Sequence, residues 1–300
     1  FFTCCPLARF GFIVSPPPNE QCRRPRATDP RMLLPHTSLL PGSWLPPFGG
    51  GAHSRVDTTA LFTTDDIQGW AQAESSQYDG LVAARPFDGR WDEFQSAIDE
   101  ACSRWPERGL TCTAPSEASR FSAAVDELLS GAGLPDPISR QLHEDACALG
   151  RAWKALCPAV RQLSVKLELF GENVCSRWHC DHFVGRGIVS YTGVVGTEYT
   201  RKGNVDFWEL QHCGNNKCII RDPKLVESVA VGDLLLIKGT RFPLPHGTAR
   251  SIKASNALVH KSPEVRFDQQ GGVQNRLVLK VDLYELPGAS GPARGGDRKP

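Results

Sequence analysis

Hydrophobic positions change their period once along the chain. Between about 60 and 160 they recur every three or four residues, the spacing of one helix face. Phe94, Ile98 and Cys102 predict a helix over 91–105. Phe121, Val125, Leu128 and Leu129 predict a second, starting near Pro115 and Ser116 and stopping at Gly131. Ile138, Leu142, Ala146, Leu149, Trp153 and Leu156 predict a third over 136–156, ended by Pro158. From about 162 the period becomes two. Leu163, Val165, Leu167 and Leu169 alternate with Ser164, Lys166 and Glu168, the mark of a half-buried strand. Further strands are expected at 188–192, 233–238, 257–260 and 277–284. Turn signals separate them at Gly185, Gly187, Gly193, Gly196, Gly214, Gly232, Gly239, Gly271 and Gly272. Short strands with glycine turns and no interleaved long helices suggest an antiparallel sandwich or barrel. The expected class is α+β, with amino-terminal helices packed on a carboxy-terminal antiparallel β-barrel.

The ends read differently. Residues 1–58 form a Pro- and Arg-rich leader, with Arg9, Arg23, Arg24, Arg26 and Arg31 against Glu20 and Asp29 over its first 50 residues. Such a leader reads as a disordered extension or as an organelle transit segment. The first residue is Phe1 rather than Met, which suggests a fragment or a processed form. Residues 287–300 read as a disordered tail. Between the ends a single domain is expected over 59–286, helical over 59–160 and barrel over 161–286. A net charge of +1 gives no reason to expect nucleic acid or an anionic membrane as partner. No apolar run approaches the roughly 20 residues of a membrane-spanning helix. Eleven cysteines without a CxxC pair read as mostly reduced thiols, buried or near a metal. That points to an intracellular setting, cytoplasmic or organellar.

The chemistry concentrates at a strand boundary. His179 and Asp181 stand two apart, so an extended backbone points both the same way. His260, ending a strand about 80 residues later, is the best third ligand. Two histidines and one carboxylate with open positions form the facial triad of non-haem Fe(II) oxygenases. With such a site the barrel resembles a double-stranded β-helix of the cupin and 2-oxoglutarate oxygenase kind. In those oxygenases a basic residue on the following strand grips the far carboxylate of the cosubstrate. Arg276 is the candidate, since its planar fork suits a carboxylate. Lys261 and Arg266 are weaker candidates. The bland alternatives are a solvated HxD triplet and a solvent-facing arginine. A sulfur-based zinc reading is also open, through Cys175, His179, Cys180 and His182 or through His212, Cys213 and Cys218. The Cys213 and Cys218 pair fits a hairpin loop, with or without a disulfide. His182 is either an orienting group or a surface residue. Trp178 and Trp208 are expected in packing. The sequence has no P-loop, nucleophile elbow or dinucleotide fingerprint.

Several pieces in matching order resemble one family. They are Leu167-Glu168, Cys175, His179-x-Asp181, Tyr191-Thr-Gly-Val-Val-Gly-Thr-Glu198-Tyr199 and Asn204-Val-Asp206. They continue with Ile220-Arg221-Asp222-Pro223, Gly232-Asp233, Lys238-Gly239, Val259-His260-Lys261-Ser262-Pro263 and Arg276-Leu-Val-Leu279. This string, over 166–283, resembles the domain-of-unknown-function family 1826, found mainly in bacteria and also in algae. The stretch before Lys166 resembles it loosely and the leader not at all. The family usually has Arg at the position of Lys261 and Asn or Val at that of His182, which leaves the role of His182 open. The resemblance assigns no reaction. It implies a metal-linked role, because members commonly stand beside genes of zinc supply, including metal-transfer GTPases.

The leading functional expectation is an Fe(II)- and 2-oxoglutarate-dependent oxygenase of unknown substrate. His179, Asp181 and His260 would hold the metal, with Arg276, Lys261 and Tyr191 as cofactor-binding candidates. The alternative is a zinc protein of metal homeostasis or a zinc-dependent hydrolase. A metal-free binding barrel is the third. The substrate, a small molecule or a protein, depends on loops such as 239–255, and metal-supply proteins are the expected partners.

Overall fold

The computed structural model describes residues 60–86, 90–243 and 255–286, apart from the side chains of residues 73, 74, 90 and 92. The leader over 1–58, the tail over 287–300 and most of the loop over 239–255 lie outside the described residues.

Alternation along β4 (Gln162–Phe170) sets up the architecture. Leu163, Val165, Leu167 and Leu169 are buried on one face, while Ser164, Lys166, Glu168 and Phe170 are half-buried on the other. The central strand β10 (Arg276–Leu283) pairs antiparallel with β4 on one side and with β5 (Gly185–Ser190) on the other, so Leu279 stands between Leu167 and Val189. Every residue of β10 after Arg276 is buried, as expected of a strand covered on both faces. The rest of this sheet is β1 (Leu61–Thr64), β2 (Gly80–Ala83), β3 (Gly109–Pro115) and β8 (Leu234–Lys238). Its order is β1-β2-β8-β5-β10-β4-β3, with only β1 and β2 parallel. A small antiparallel sheet has the order β7-β6-β9, formed by β6 (Glu198–Thr200), β7 (Val226–Ser228) and β9 (Val259–Lys261).

The fold is therefore mixed α+β with a large sheet, and two expectations need correction. Among the described residues the strands do not close into a barrel. The small sheet has strands of three residues each, and its ladder ends before reaching the large one. The two sheets meet mainly by packing: Tyr199 and Leu258 sit with Leu235 and Ile237 in one apolar cluster, and the Leu258 N–H donates to the Lys238 carbonyl at 3.0 Å. The segment before 160 is also not wholly helical. It contributes β1, β2 and β3, whose partners lie in the second half of the chain or, for β1, across a connection of fifteen residues. Strands of four residues carry too few positions for a period to be read, and non-local pairing decides them.

Three helices do form there: α1 (Gln95–Ser103), α2 (Ala118–Ser130) and α3 (Asp136–Leu156). Residues Arg90–Phe94 make a 3-10 turn ahead of α1. The stripe Ile138, Leu142, Ala146, Leu149 and Trp153 of α3 is buried in one cluster with Leu163, Leu167, Leu279 and Val281 of the sheet. Each Ile, Leu or Val among these contributes about 1.5–3 kcal/mol by leaving water. Trp153 also donates its indole N–H to the Val281 carbonyl at 2.9 Å. Two short helices, α4 (Phe207–His212) and α5 (Asn216–Ile219), cover the outer side of the small sheet, where Leu210 and Ile219 meet Trp178, Cys180 and Val259. No helix among the described residues is long and apolar enough to cross a membrane.

Candidate metal centre

His179 and His260 face each other as one antiparallel pair. Each donates its backbone N–H to the other's carbonyl at 3.0 Å, which extends the small sheet by a single bridge beyond β9. Side chains of such a pair lie on the same face, and the two imidazole centroids are 4.4 Å apart. Alternation then sorts the neighbours. Trp178 and Cys180 point into the apolar cluster under α4 and α5, while His179 and Asp181 point toward the large sheet. The Asp181 backbone is fixed by Thr240, whose N–H donates to the Asp181 carbonyl at 2.8 Å. Beside it, a Cβ on Gly239 would stand 2.0 Å from the Phe183 carbonyl oxygen, so only glycine lets β8 end this close to the ligand segment.

The three side chains converge. His179 Nε2 is 3.7 Å from Asp181 Oδ1, and His260 Nε2 is 3.8 Å from Asp181 Oδ2. All three ligand atoms lie within 4.8 Å of one another. Two donors each about 2.1 Å from one ion are at most about 4.2 Å apart, and both His–Asp separations meet that limit. The tautomers are set as well. His179 Nδ1 lies 2.8 Å from the Arg177 carbonyl and His260 Nδ1 lies 3.0 Å from the Leu258 carbonyl. A carbonyl only accepts, so both Nδ1 atoms carry hydrogen, and each ring turns its Nε2 toward Asp181.

The electrostatics favour ligation. Burial, then the neighbouring His179, lowers His260 to about 4, so its imidazole is neutral at pH 7. Burial pushes the Asp181 carboxyl up, but Arg186, His260, His179 and Lys280 together outweigh it and hold it below the usual carboxylate range. Asp181 Oδ2 is buried without a hydrogen-bond partner. A buried carboxylate oxygen left bare is costly, and a cation between the three groups would satisfy it. The donor set fits a divalent ion.

Around the triad runs a layer of charge that the sequence reading missed. Arg186 donates to Asp282 at 2.8 and 3.3 Å and stands 3.7 Å from Asp181. Asp282, with no exposed surface, also accepts from Tyr284 at 3.0 Å and lies 3.8 Å from Lys166. Lys280 pairs with Glu168. The signal was available: Arg276, Lys280 and Asp282 occupy alternate positions of a strand whose other face is Leu277, Leu279, Val281 and Leu283.

Arg276 opens β10 on this same face. One of its terminal nitrogens, Nη2, is buried without a partner, and burial lowers the guanidinium to about 10 despite the nearby Glu198. It lines a cavity of about 20 Å³ with Phe170, Val194, Pro263 and Arg266. Gly193 (φ +100°) allows the loop to lie against it, since a Cβ there would meet the Arg276 side chain at 2.8 Å. None of the three metal candidates lines this cavity.

The other candidates are not brought to the triad. Lys261 follows His260 on β9 and so takes the opposite face, where it pairs with Glu198 and Glu264. Tyr191 lies in the core between helices and large sheet, donating its hydroxyl to Asp145 at 2.6 Å. His182 is exposed. Cys175, Cys180 and His182 do not gather with His179 among the described residues; Cys180 sits in the apolar cluster, and burial pushes its thiol up to about 12. Cys213 and Cys218 form no disulfide, but with Glu209 they make a second group of metal-ligating atoms. Trp178 packs as expected, whereas Trp208 is exposed.

Similar solved structures include AtDAO1, a dioxygenase for auxin oxidation from Arabidopsis thaliana, in complex with 2-oxoglutarate. It is 10% identical, with a TM-score of 0.39 over 76% of this chain and 92% of that one. HygX from Streptomyces hygroscopicus, with nickel and 2-oxoglutarate bound, is 12% identical, with a TM-score of 0.33 over 68% of this chain and 81% of its own. A prolyl-4-hydroxylase from Pseudomonas putida is 11% identical, with a TM-score of 0.33 over 73% and 96%. Likeness this low carries no argument about the reaction. Among curated proteins nothing matches the sequence significantly. A family model described as a protein of unknown function, DUF1826, matches residues 72–282, reaching well into the helical part where the sequence pieces resembled the family only loosely, and by this match the chain belongs to the DUF1826 family.

Proposed function

We propose that this protein is a non-haem Fe(II)- and 2-oxoglutarate-dependent oxygenase of unassigned substrate. The carrying observation is that two Nε2 atoms and an unpartnered, buried Asp181 oxygen converge on one point. Two imidazoles and one carboxylate on one side of an ion leave the opposite positions for other ligands. Bound iron would supply the activation of O2, coupled to oxidative decarboxylation of the cosubstrate.

The chain's own residues have definable parts in this reading. The Arg177 and Leu258 carbonyls hold the two imidazoles in the ligating tautomer. Arg186 keeps Asp181 ionised. Arg276, a largely buried cation with an unused donor, would grip the far carboxylate of the cosubstrate. The cavity beside it holds about one water, so a bound dicarboxylate requires the lining side chains to shift. Strand order supports a double-stranded β-helix, though not a closed one. From β4 onward the large sheet takes β4, β5, β8 and β10, and the small sheet takes the His179 bridge, β6, β7 and β9.

The test is anaerobic. Fe(II) added with 2-oxoglutarate should give the weak visible charge-transfer band of a chelated 2-oxo acid. The band should be absent in His179→Ala and in Asp181→Ala. Tight zinc at these same residues with no band would end the oxygenase reading. Retained iron stoichiometry in both variants would remove the triad itself.

A further inference from the structure

A second cluster of ligand atoms lies outside the triad. Glu209 on α4, Cys213 just beyond its end and Cys218 on α5 bring a carboxylate oxygen and two sulfurs within 4.8 Å of one another. We infer that these three residues hold a zinc ion that fixes the loop clamping the His179 segment. This site is independent of the oxygenase reading.

The loop is built to present its donors together. Asp206 caps α4 by accepting from the N–H groups of Trp208 and Glu209 at 3.1 and 3.2 Å. The Cys213 N–H donates to the Glu209 carbonyl at 2.8 Å, which places the thiol beside the carboxylate. Asn215 then works in both directions. Its N–H donates to Cys213 Sγ at 3.4 Å, which orients the sulfur, and its side chain accepts from the Lys217 N–H at 3.0 Å to start α5. The Cys218 N–H closes the turn on the Asn215 carbonyl at 3.0 Å. Two thiols and a carboxylate suit zinc better than calcium or magnesium, which prefer oxygen alone. All three residues are half-buried, which leaves the fourth position of a tetrahedral ion open to a water ligand. Binding releases the two thiol protons to water. His212 is not part of the group; its Nδ1 is spent on the Trp208 carbonyl at 2.8 Å, and its ring stacks on Trp208.

What the ion would stabilise is specific. Helices of six and four residues are too short to persist unaided. This same loop carries three hydrogen bonds to the segment around and before His179. Arg177 Nη2 donates to the Cys213 carbonyl at 2.8 Å, the Trp178 N–H donates to Asn216 Oδ1 at 3.0 Å, and Asn216 Nδ2 donates to the Ser176 carbonyl at 2.8 Å. The Arg177 carbonyl is in turn the acceptor that sets the His179 tautomer. Cross-linking Glu209, Cys213 and Cys218 therefore holds the peptide that aims His179.

The full chain carrying both His179→Ala and Asp181→Ala removes the triad as a competitor. Titrated with Co2+ under reducing conditions, it should take up one ion per chain, show a thiolate-to-cobalt charge-transfer band, and lose that band on adding equimolar Zn2+. Adding Cys213→Ser and Cys218→Ser should abolish the band. Glu209→Gln, which keeps both thiols and the side-chain size, should weaken Co2+ binding about tenfold or more. In the same triad-free chain, zinc at one equivalent should slow amide exchange of residues 176–179, and Cys213→Ser with Cys218→Ser should remove that slowing. A missing band, a band that survives the serine substitutions, unchanged affinity in Glu209→Gln, unchanged exchange, or a Cys213–Cys218 disulfide in the reduced-handled protein would each overturn the proposal.

Discussion

The two faces of the large sheet are made by alternate residues of the same strands and have opposite chemistry. On β4 and β10 one face is Leu163, Val165, Leu167, Leu169, Leu277, Leu279, Val281 and Leu283, buried against the helices. The other carries Lys166, Glu168, Arg276, Lys280 and Asp282, with Arg186 beside them on β5. Both faces are covered, so the polar one is not simply wet. Burying that much charge gives little net stability, because desolvation offsets the attraction of each pair. The contrast teaches that the helix face supplies the stability and the inner face holds the Asp181 carboxylate and its two imidazoles in a charged, water-poor setting.

The comparison can be tested from its strongest side down. Trp153→Ala removes a fully buried side chain from the helix face and should cost about 3–5 kcal/mol. Chemical denaturation measures this, while metal per folded chain should be unchanged. Loss of metal at preserved stability would reverse the assignment of the two faces. Asp282→Ala leaves Arg186 without its main partner and should cost about 3 kcal/mol. Unlike the tryptophan variant, it should also weaken metal binding, read by competition with a chromophoric chelator.

Acid comes next. His260 titrates at about 4 in the folded chain and near 6.5 when unfolded. The unfolded state therefore binds the extra proton first as pH falls. Stability of the metal-free protein should be full above about 6.5 and decline progressively toward about 4. His260→Gln should flatten that decline in denaturation curves taken across the window. A decline of equal steepness in the variant would place its origin elsewhere.

Smaller effects sharpen the inner face. His179→Ala should lower triad metal affinity about 100-fold, some 2.8 kcal/mol of binding energy, yet change metal-free stability by less than about 1 kcal/mol, since the ring is partly exposed. Calorimetric titration and melting separate the two numbers. Arg276→Ala should weaken 2-oxoglutarate binding about tenfold, or 1.4 kcal/mol, and leave Fe(II) affinity alone. Equal cosubstrate affinity would take Arg276 out of the site.

Much of the framework was legible from residue order. The period-two runs at 163–169 and 277–283 are the two longest strands, and the three helical stripes recur as α1, α2 and α3. The i, i+2 spacing of His179 and Asp181 requires a shared face in extended backbone, and they share one. The same rule, applied to β9, would have separated Lys261 from His260, because adjacent strand residues point apart. Tyr191 was harder. Nothing local says which face of β5 meets the helices, and Tyr191 follows Gly187 and Val189 onto that side, where Asp145 receives its hydroxyl.

The sequence by itself determined the elements long enough to carry a period, the burial pattern of β4 and β10, and a pair of ligands set by backbone geometry alone. Only the tertiary structure decided that four-residue strands β1 and β2 join the large sheet, that the sheets pack without closing, and that His260 pairs backbone to backbone with His179. It also decided that Glu209, Cys213 and Cys218 meet. Short strands and distant ligands take their places from partners far along the chain, and the free energy of those pairings resides in contacts that no local window of residues contains.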